Sequence, residues 1–191
     1  MSSTVIVRLT HTHTAYQPQY LDHKLVGIAT SESVVVQAVT GYDIVFVQEH
    51  WLPSCDLQCL HSDFVVYARS SMDDKYEHGL LRGRPFGGVA AFVRKCYKNV
   101  VSFCCSSYDG RVICLKVSAS SVNMLFFACY FPVCDNSTQY INSLTRIFGF
   151  IDSVININPG FKICVLGDLN FECNDNNTGC LLYTSPSPRD S

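Results

Sequence analysis

Charged residues are scarce in this chain of 191 residues, and long apolar runs are missing. Only 16% of the residues are charged and 48% are hydrophobic, which excludes a disordered chain and predicts one globular domain with a sizeable core. The longest uninterrupted apolar run, the eight residues Met124–Phe131, is too short to span a bilayer. Met1–Thr10 has no charged start followed by an apolar stretch, so we predict no secretory signal and no membrane partner.

The cysteines lack the spacing of a disulfide framework or a zinc site. Eleven are present, and no two of them form a CxxC pair. Cys114, Cys129 and Cys164 stand inside apolar runs, where a reduced thiol behaves as a small core hydrophobe. This usage predicts a reducing, intracellular compartment.

Acidic residues are absent from one long stretch. The net charge of −2 shows no overall basic bias, but Gly79–Tyr108 contains no Asp or Glu. This stretch carries a charge of +5 from Arg82, Arg84, Arg94, Lys95 and Lys98. One interpretation is a solvated hairpin face, and the other is a surface that contacts the phosphates of a nucleic acid.

Hydrophobic periodicity predicts an α/β fold. Residues 1–22 show no periodicity, so we interpret them as a loop or a foreign leader, and residues 79–88 as a glycine-rich loop. A short helix is predicted over residues 32–40. Strands are predicted over residues 24–29, 43–47, 63–68, 89–94, 100–105, 111–117, 123–131 and 161–166. Turn-like breaks between the four strands from 89 to 131 predict an antiparallel meander.

The clearest helix lies between the last two predicted strands. Apolar residues recur at steps of three and four from Tyr140 to Ile155. Asn136, Ser137 or Thr138 can cap its start, and residues 158–160 (NPG) stop it. The order strand, helix, strand predicts that strands 123–131 and 161–166 are parallel.

This geometry predicts a site at one edge of a sheet. Tyr130, Asp168 and Asn170 all lie where these two strands end, and ligands of α/β sheets bind at the carboxyl ends of strands. If residues 24–29, a helix and residues 43–47 form a second such unit, Glu49 joins the same edge. Taken singly, each of these residues also has an ordinary structural interpretation, such as a turn Asp, a solvated Glu or a core Tyr.

Two carboxylates and an amide oxygen suit a hard divalent cation such as Mg²⁺. A metal bound there can polarise a phosphoryl oxygen and stabilise a leaving alkoxide. A Tyr hydroxyl and an Arg can neutralise charge that develops on the phosphate, and Arg111, at the start of RVICLKV, is the best Arg candidate. The side chains therefore point to phosphodiester chemistry.

Five segments carry a family resemblance. DIVFVQEHWL, GRPFGGVAAFVRK, RVICLKV, ACYFP and VLGDLN occur in this order between about residues 42 and 173. Together they resemble the endonuclease/exonuclease/phosphatase superfamily. Within it, QEHWL and GRPFGG are most similar to the apurinic-type endonuclease domain of non-LTR (LINE-type) retrotransposon polyproteins.

The resemblance implies a four-layer α/β sandwich of two mixed sheets between helices. It also implies DNA nicking that depends on Mg²⁺ or Mn²⁺ and primes reverse transcription, a reverse transcriptase domain in the parent polyprotein, and a nuclear location for a functional protein. Glu49 is similar to the metal-binding Glu, and Asp168 and Asn170 to the Gly-Asp-x-Asn motif, whose Asp also contacts the metal and orients water. Tyr130 and Arg111 are similar to the active-site Tyr and the phosphate-side Arg.

The sequence departs from the family pattern at both ends. Ala29 stands where the family carries an Asn, and the late Ser-Asp-His-type motif has no counterpart after Asn170. Residues 180–191 (CLLYTSPSPRDS) are interpreted as an adapter- or vector-derived tail. Residues 23–179 are then a partial domain, C-terminally incomplete, with little cleavage alone and a tendency to aggregate.

Three hypotheses about function stay open at this point. The first hypothesis is a fragment of a retrotransposon endonuclease. The second is a hydrolase of the same fold that acts on inositol or sphingolipid phosphodiesters. The third hypothesis is a non-catalytic relic, which Ala29 and the missing late His favour.

Overall fold

In the part of the chain that the structure describes, two β-sheets, one of five strands and one of four, pack face to face. The structure is a computed structural model, and it describes residues 4–9, 18–20, 42–60, 62–83, 87–119, 122–135 and 137–170. The fold is α/β, because helices pack on the outer faces of both sheets. Among the described residues, no helix has the length and apolarity needed to cross a bilayer.

The described residues form nine strands, three α-helices and one 3-10 turn. The strands are β1 (Thr4–Leu9), β2 (Pro18–Tyr20), β3 (Ile44–Gln48), β4 (Phe64–Arg69), β5 (Val89–Arg94), β6 (Val101–Ser106), β7 (Val112–Ala119), β8 (Val122–Tyr130) and β9 (Lys162–Asp168). The helices are α1 (Ser54–Leu57), α2 (Asp73–Glu77) and α3 (Thr138–Asn156), and a 3-10 turn covers Lys95–Tyr97.

The first sheet has the order β2-β1-β3-β5-β4, and all its pairings are antiparallel. The second sheet has the order β6-β7-β8-β9, with β8 and β9 parallel and the other pairings antiparallel. The parallel pairing predicted across the helix is therefore confirmed.

Side chains alternate between the two faces of each strand, so each sheet packs against the other sheet on one face and against a helix on the other. The result is four layers. In β3, Ile44 and Phe46 face the second sheet, while Val45 and Val47 face the other way. Between the sheets, the rings of Phe46 and Phe126 stack with centroids 6.2 Å apart. Outside the first sheet, Leu57 of α1 completes a separate apolar cluster.

Helix α3 covers the outer face of the second sheet. Its buried residues Ile147, Ile151 and Val154 pack against Phe127 and neighbouring side chains of β7 and β8. Of the three predicted caps, Ser137 is the N-cap, and its hydroxyl accepts a hydrogen bond from the Tyr140 N–H at 3.1 Å. This helix makes the crossover that sets β9 beside β8.

Two sequence interpretations of the fold are wrong. The predicted meander holds for β6 to β8, but β5 pairs with β3 and β4 in the first sheet because the 3-10 turn carries the chain to the second sheet. Residues 1–22 are not simply a loop, since β1 and β2 belong to the first sheet. The β-branched run TVIVRL has the composition of a strand and pairs with β3.

Several other predictions lie outside the described residues. They concern the strand 24–29, the helix 32–40, the departure at Ala29, and the tail 180–191. The domain boundaries at residues 23 and 179 likewise stay predictions.

The outer edge of the second sheet generates a testable prediction. On β9, Ile163 and Val165 are 40% and 45% exposed, and they sit on the last strand of that sheet. An exposed apolar edge strand is a template for pairing with other chains, and a lysine blocks such pairing. We expect Val165→Lys to reduce aggregation while changing the free energy of unfolding by less than about 1 kcal/mol.

The measurement is light scattering during incubation at high protein concentration. Ser118→Lys is the matched control, because it adds the same charge at an exposed position on the interior strand β7. Equal aggregation of both variants would contradict the role of the β9 edge.

Candidate functional site

A hydrogen bond connects the ends of two strands that belong to different sheets. Glu49 follows β3 of the first sheet, and Tyr130 is the last residue of β8 in the second. The Tyr130 hydroxyl donates to Glu49 Oε1 at 2.5 Å, and both side chains are half-buried. The structure therefore brings together two residues that are 81 positions apart in the chain.

Asp168 and Asn170 lie at the same edge. Asp168 is the register partner of Tyr130, and its carbonyl accepts the N–H of Phe131 at 2.8 Å. The Asn170 N–H donates to Asp168 Oδ1 at 3.0 Å, and the Asn170 side-chain amide donates to the Phe131 carbonyl at 2.6 Å. These bonds fix the Asp-x-Asn turn against the end of β8.

Gly167 is required by the close approach of β8 and β9. Its φ is +130°, and a Cβ there would lie 2.0 Å from the Cys129 carbonyl oxygen. No side chain fits at that distance, so the close approach of β9 to β8 just before Asp168 requires glycine.

Arg111 lies beside Tyr130. Its Nη1 donates to the Tyr130 carbonyl at 3.3 Å, and its guanidinium carbon lies 5.3 Å from the centre of the Tyr130 ring. The Arg111 N–H is held in turn by Ser107 Oγ at 3.1 Å and Asp109 Oδ1 at 3.2 Å. The turn between β6 and β7 thus places a cation at the edge that carries the two carboxylates.

The environment keeps the Tyr130 hydroxyl protonated. Burial raises the pKa of Tyr130 above its ordinary value of 10.0, and the hydrogen bond to Glu49 and the Glu49 charge raise it further. The charge of Arg111 opposes this shift, and that of Asp168 adds to it. At neutral pH Tyr130 is therefore a hydrogen-bond donor that holds the Glu49 carboxylate.

The backbone at Glu49 is held by the glycine-rich loop. Glu49 and Trp51 have φ values of +55° and +57°, a region that residues with a side chain rarely adopt. The Glu49 N–H donates to the Gly88 carbonyl at 2.8 Å, and the Trp51 N–H donates to that of Gly87 at 3.2 Å. The two segments QEHWL and GRPFGG are therefore in direct contact.

Between Glu49 and Trp51, the His50 side chain is buried against Gly88. A Cβ on Gly88 would lie 2.2 Å from His50 Nε2, and the Leu52 N–H donates to His50 Nδ1 at 3.3 Å. Burial lowers the pKa of His50 to about 4, although the Asp73 carboxylate opposes that shift. Sequence reasoning missed this role of His50 and Gly88; the Gly-Gly pair with its need for positive φ was the available signal.

The donor set is compatible with a divalent cation. Within the described part of the chain, no group of three or more His, Cys, Asp or Glu side chains could form a metal cage. Mg²⁺ does not need one, since it keeps several waters and takes one or two carboxylates together with substrate phosphates. Glu49, already oriented by Tyr130, and Asp168 are the carboxylates that could hold it.

The structure does not bring most of the predicted basic residues to this edge. Gln48 pairs with Val89, so β5 starts at the site, and Arg94 lies about 17 Å away at the other end of β5. Arg94 Nε donates to the Tyr42 carbonyl at 3.1 Å. Lys95 and Lys98 follow Arg94 at that far end. Arg82 is exposed in the loop that leads to the site, and Arg84 lies outside the described residues.

Comparison with solved structures finds similar chains among those of TDP2. The chain is 18% identical to TDP2 from C. elegans (TM-score 0.45, covering 74% of this chain and 42% of that one). It is also 18% identical to D. rerio TDP2 humanized by 14 mutations (TM-score 0.46, covering 74% and 55%). The chain thus spans about half the length of these structures. No protein-family model and no curated protein matches it. A likeness this distant carries no argument about activity.

The contact between His50 and Gly88 predicts different costs for two neighbouring substitutions. Gly87 and Gly88 both have positive φ, at +68° and +92°, but a Cβ on Gly87 would have no atom within 4 Å. We expect Gly87→Ala to cost about 1–2 kcal/mol of stability from backbone strain alone. Gly88→Ala should cost a further 1–3 kcal/mol or so, because its methyl group displaces His50.

Urea unfolding of both variants measures the two costs. Gly87→Ala is the internal control for backbone strain, and equal destabilisation by the two alanines would contradict the packing of His50 on Gly88.

The pKa of His50 predicts a loss of stability at acid pH. Between the ordinary histidine pKa of 6.5 and the folded-state pKa of about 4, the unfolded chain binds more protons than the folded one. The stabilisation is therefore complete above about pH 6.5 and is lost as the pH falls to about 4, by about 3 kcal/mol for this group. We expect His50→Gln to show a correspondingly smaller loss between pH 7 and pH 4.

The measurement is urea unfolding at several pH values in the presence of a metal chelator. His78→Gln is the control, because it makes the same substitution at an exposed histidine. A pH dependence that is the same in wild type and His50→Gln would rule out His50 as its source.

Proposed function

We propose that this protein is a phosphodiester hydrolase that nicks DNA with the help of Mg²⁺ or Mn²⁺. The observation that carries the proposal is the hydrogen bond from Tyr130 to Glu49, which joins the ends of the two sheets beside Asp168, Asn170 and Arg111. Two carboxylates, an amide, a protonated phenol and a guanidinium at one edge match the requirements of phosphoryl transfer.

Each side chain has a distinct task in this proposal. Tyr130 keeps the Glu49 carboxylate in place, and the Arg111 guanidinium, which has five N–H donors, binds the scissile phosphate. The Asp168 carboxylate orients the attacking water and takes up its proton, while Asn170 fixes Asp168 through the bond to Oδ1. A cation held by Glu49 and Asp168 would supply charge neutralisation at the phosphoryl oxygens.

DNA is the substrate that we propose, in the setting of a non-LTR retrotransposon polyprotein with a reverse transcriptase domain. Support comes from the contact between QEHWL and GRPFGG, the two segments most specific to that resemblance. The exposed Arg82 lies in the loop that ends at this contact, where it could meet a phosphate backbone. A nuclear location belongs to the same proposal.

The test is conversion of supercoiled plasmid to the nicked form by the full chain with Mg²⁺ or Mn²⁺. We expect Glu49→Gln and Asp168→Asn each to lower the rate by about 10²–10⁴-fold, because each removes a charge from the site. Asp152→Asn, on the exposed side of α3, removes the same charge away from the site and should leave nicking unchanged.

The other functions predict different results from the same preparations. Hydrolysis of a phosphoinositide or sphingomyelin, with plasmid left intact, would replace DNA by a lipid phosphodiester as substrate. If no substrate is cleaved, we measure Mn²⁺ binding by electron paramagnetic resonance. The measurement distinguishes a relic that keeps its metal site from one that has lost it. Mn²⁺ binding that is equal in wild type and Glu49→Gln would contradict the metal site itself.

A further inference from the structure

Three cysteines meet in the hairpin of β6 and β7. Cys105 is the register partner of Cys114 across the two antiparallel strands. The register shifts between Phe103 and Cys105, so Cys104 is the extra residue of a β-bulge. The bulge sets both Cys104 and Cys105 against the apolar cluster under α3, where Cys114 is buried.

The backbone geometry permits a bond between Cys105 and Cys114. Directly opposed residues of antiparallel strands have Cα atoms about 4.5–5.5 Å apart. Disulfides span Cα separations of about 4.4–6.8 Å, a range that includes such opposed pairs. Both thiols are free in the structure.

The two sulfurs differ in exposure and acidity. Cys105 is partly exposed, whereas Cys114 is fully buried. A hydrogen bond from Cys114 is the main cause that lowers the pKa of Cys105 below that of a free thiol, and the same bond together with burial raises the pKa of Cys114. The accessible sulfur is thus the better nucleophile, and the buried one lies in contact with it.

We propose that Cys105 and Cys114 are a peroxide-sensitive thiol pair that oxidises to a cross-strand disulfide. The Cys105 thiolate attacks one peroxide oxygen, the O–O bond breaks, and the departing hydroxide takes a proton to leave as water. The Cys114 sulfur then attacks the Cys105 sulfenic acid, an S–S bond forms, the S–O bond breaks, and a second water leaves with the Cys114 proton. Two thiols are oxidised by two electrons, and one hydrogen peroxide is reduced to two waters.

This pair is independent of the proposed phosphodiesterase activity but lies close to that site in the fold. The turn of the same hairpin carries Arg111. Next to Arg111, the Ser107 N–H donates to the Val112 carbonyl at 2.8 Å and closes the turn. A disulfide between β6 and β7 closes a short loop around this turn. Oxidation should therefore raise the urea midpoint of the chain.

The experiment is peptide mapping of the full chain by mass spectrometry after treatment with hydrogen peroxide. We expect one linked species, Cys105–Cys114, to form faster than any product of the exposed Cys55, Cys59, Cys96 or Cys134. Cys105→Ser should slow this oxidation at least about tenfold, since the attacking thiolate is gone. Cys114→Ser should stop at a sulfenic acid that dimedone traps at Cys105.

Cys104→Ser is the matched control, because it removes the neighbouring thiol but neither reacting one. It should leave the yield of the Cys105–Cys114 link unchanged. The proposal is overturned if wild-type protein, shown to be folded by circular dichroism, gives no such link while exposed cysteines oxidise. It is also overturned if Cys104→Ser abolishes the link. The wild-type map decides the question even if a serine variant fails to fold.

Discussion

The hydrogen bond between Tyr130 and Glu49 is the constraint on which the site depends. Its two partners come from different sheets, so its length is set by how the sheets pack. Behind it, Phe46 and Phe126 stack between the sheets, each a few residues before the end of its strand. Because packed interiors transmit displacement rather than absorb it, a change in this core would separate the Glu49 carboxylate from Asp168.

Both carboxylates are surrounded by backbone that is costly to form. Glu49 and Asn170 have φ values of +55° and +49°, and Gly167 lies against the Cys129 carbonyl. Residues held in such conformations cost about 1–3 kcal/mol each, and they persist only where neighbouring contacts determine them. Here those contacts are the Gly88 carbonyl for Glu49 and the Phe131 carbonyl for Asn170. Strain at Glu49 and at Asn170, two residues after Asp168, is consistent with a site that is preorganised rather than assembled on binding.

The sequence predicted which segments are strands better than it predicted which strands pair with each other. Runs such as IVFVQ and VAAFVR are buried on both faces, so their apolar, β-branched composition marks them as strands without ambiguity. Composition does not say which strands pair. The predicted meander therefore placed β5 beside β6, whereas the two strands belong to different sheets. The positions of Glu49, Tyr130 and Asp168 at one edge were predictable because strand ends in α/β folds converge, but the contact of His50 with Gly88 was not. This contact joins distant segments, and the Gly-Gly pair indicates an unusual backbone conformation but not its partner.

Closeness in the chain also differs from closeness in space for the basic residues between Gly79 and Tyr108. Arg82, Arg94 and Lys98 are close in the chain, and charge counted along a sequence suggests one surface. The six residues of β5 separate Arg82 from Arg94 and Lys98 in space, because β5 begins beside Glu49 and ends at Arg94. Arg94 is further committed to the Tyr42 carbonyl and to the ring of Phe64, 5.3 Å away. Arg111, by contrast, is brought to the edge by a different hairpin, where it contacts Tyr130.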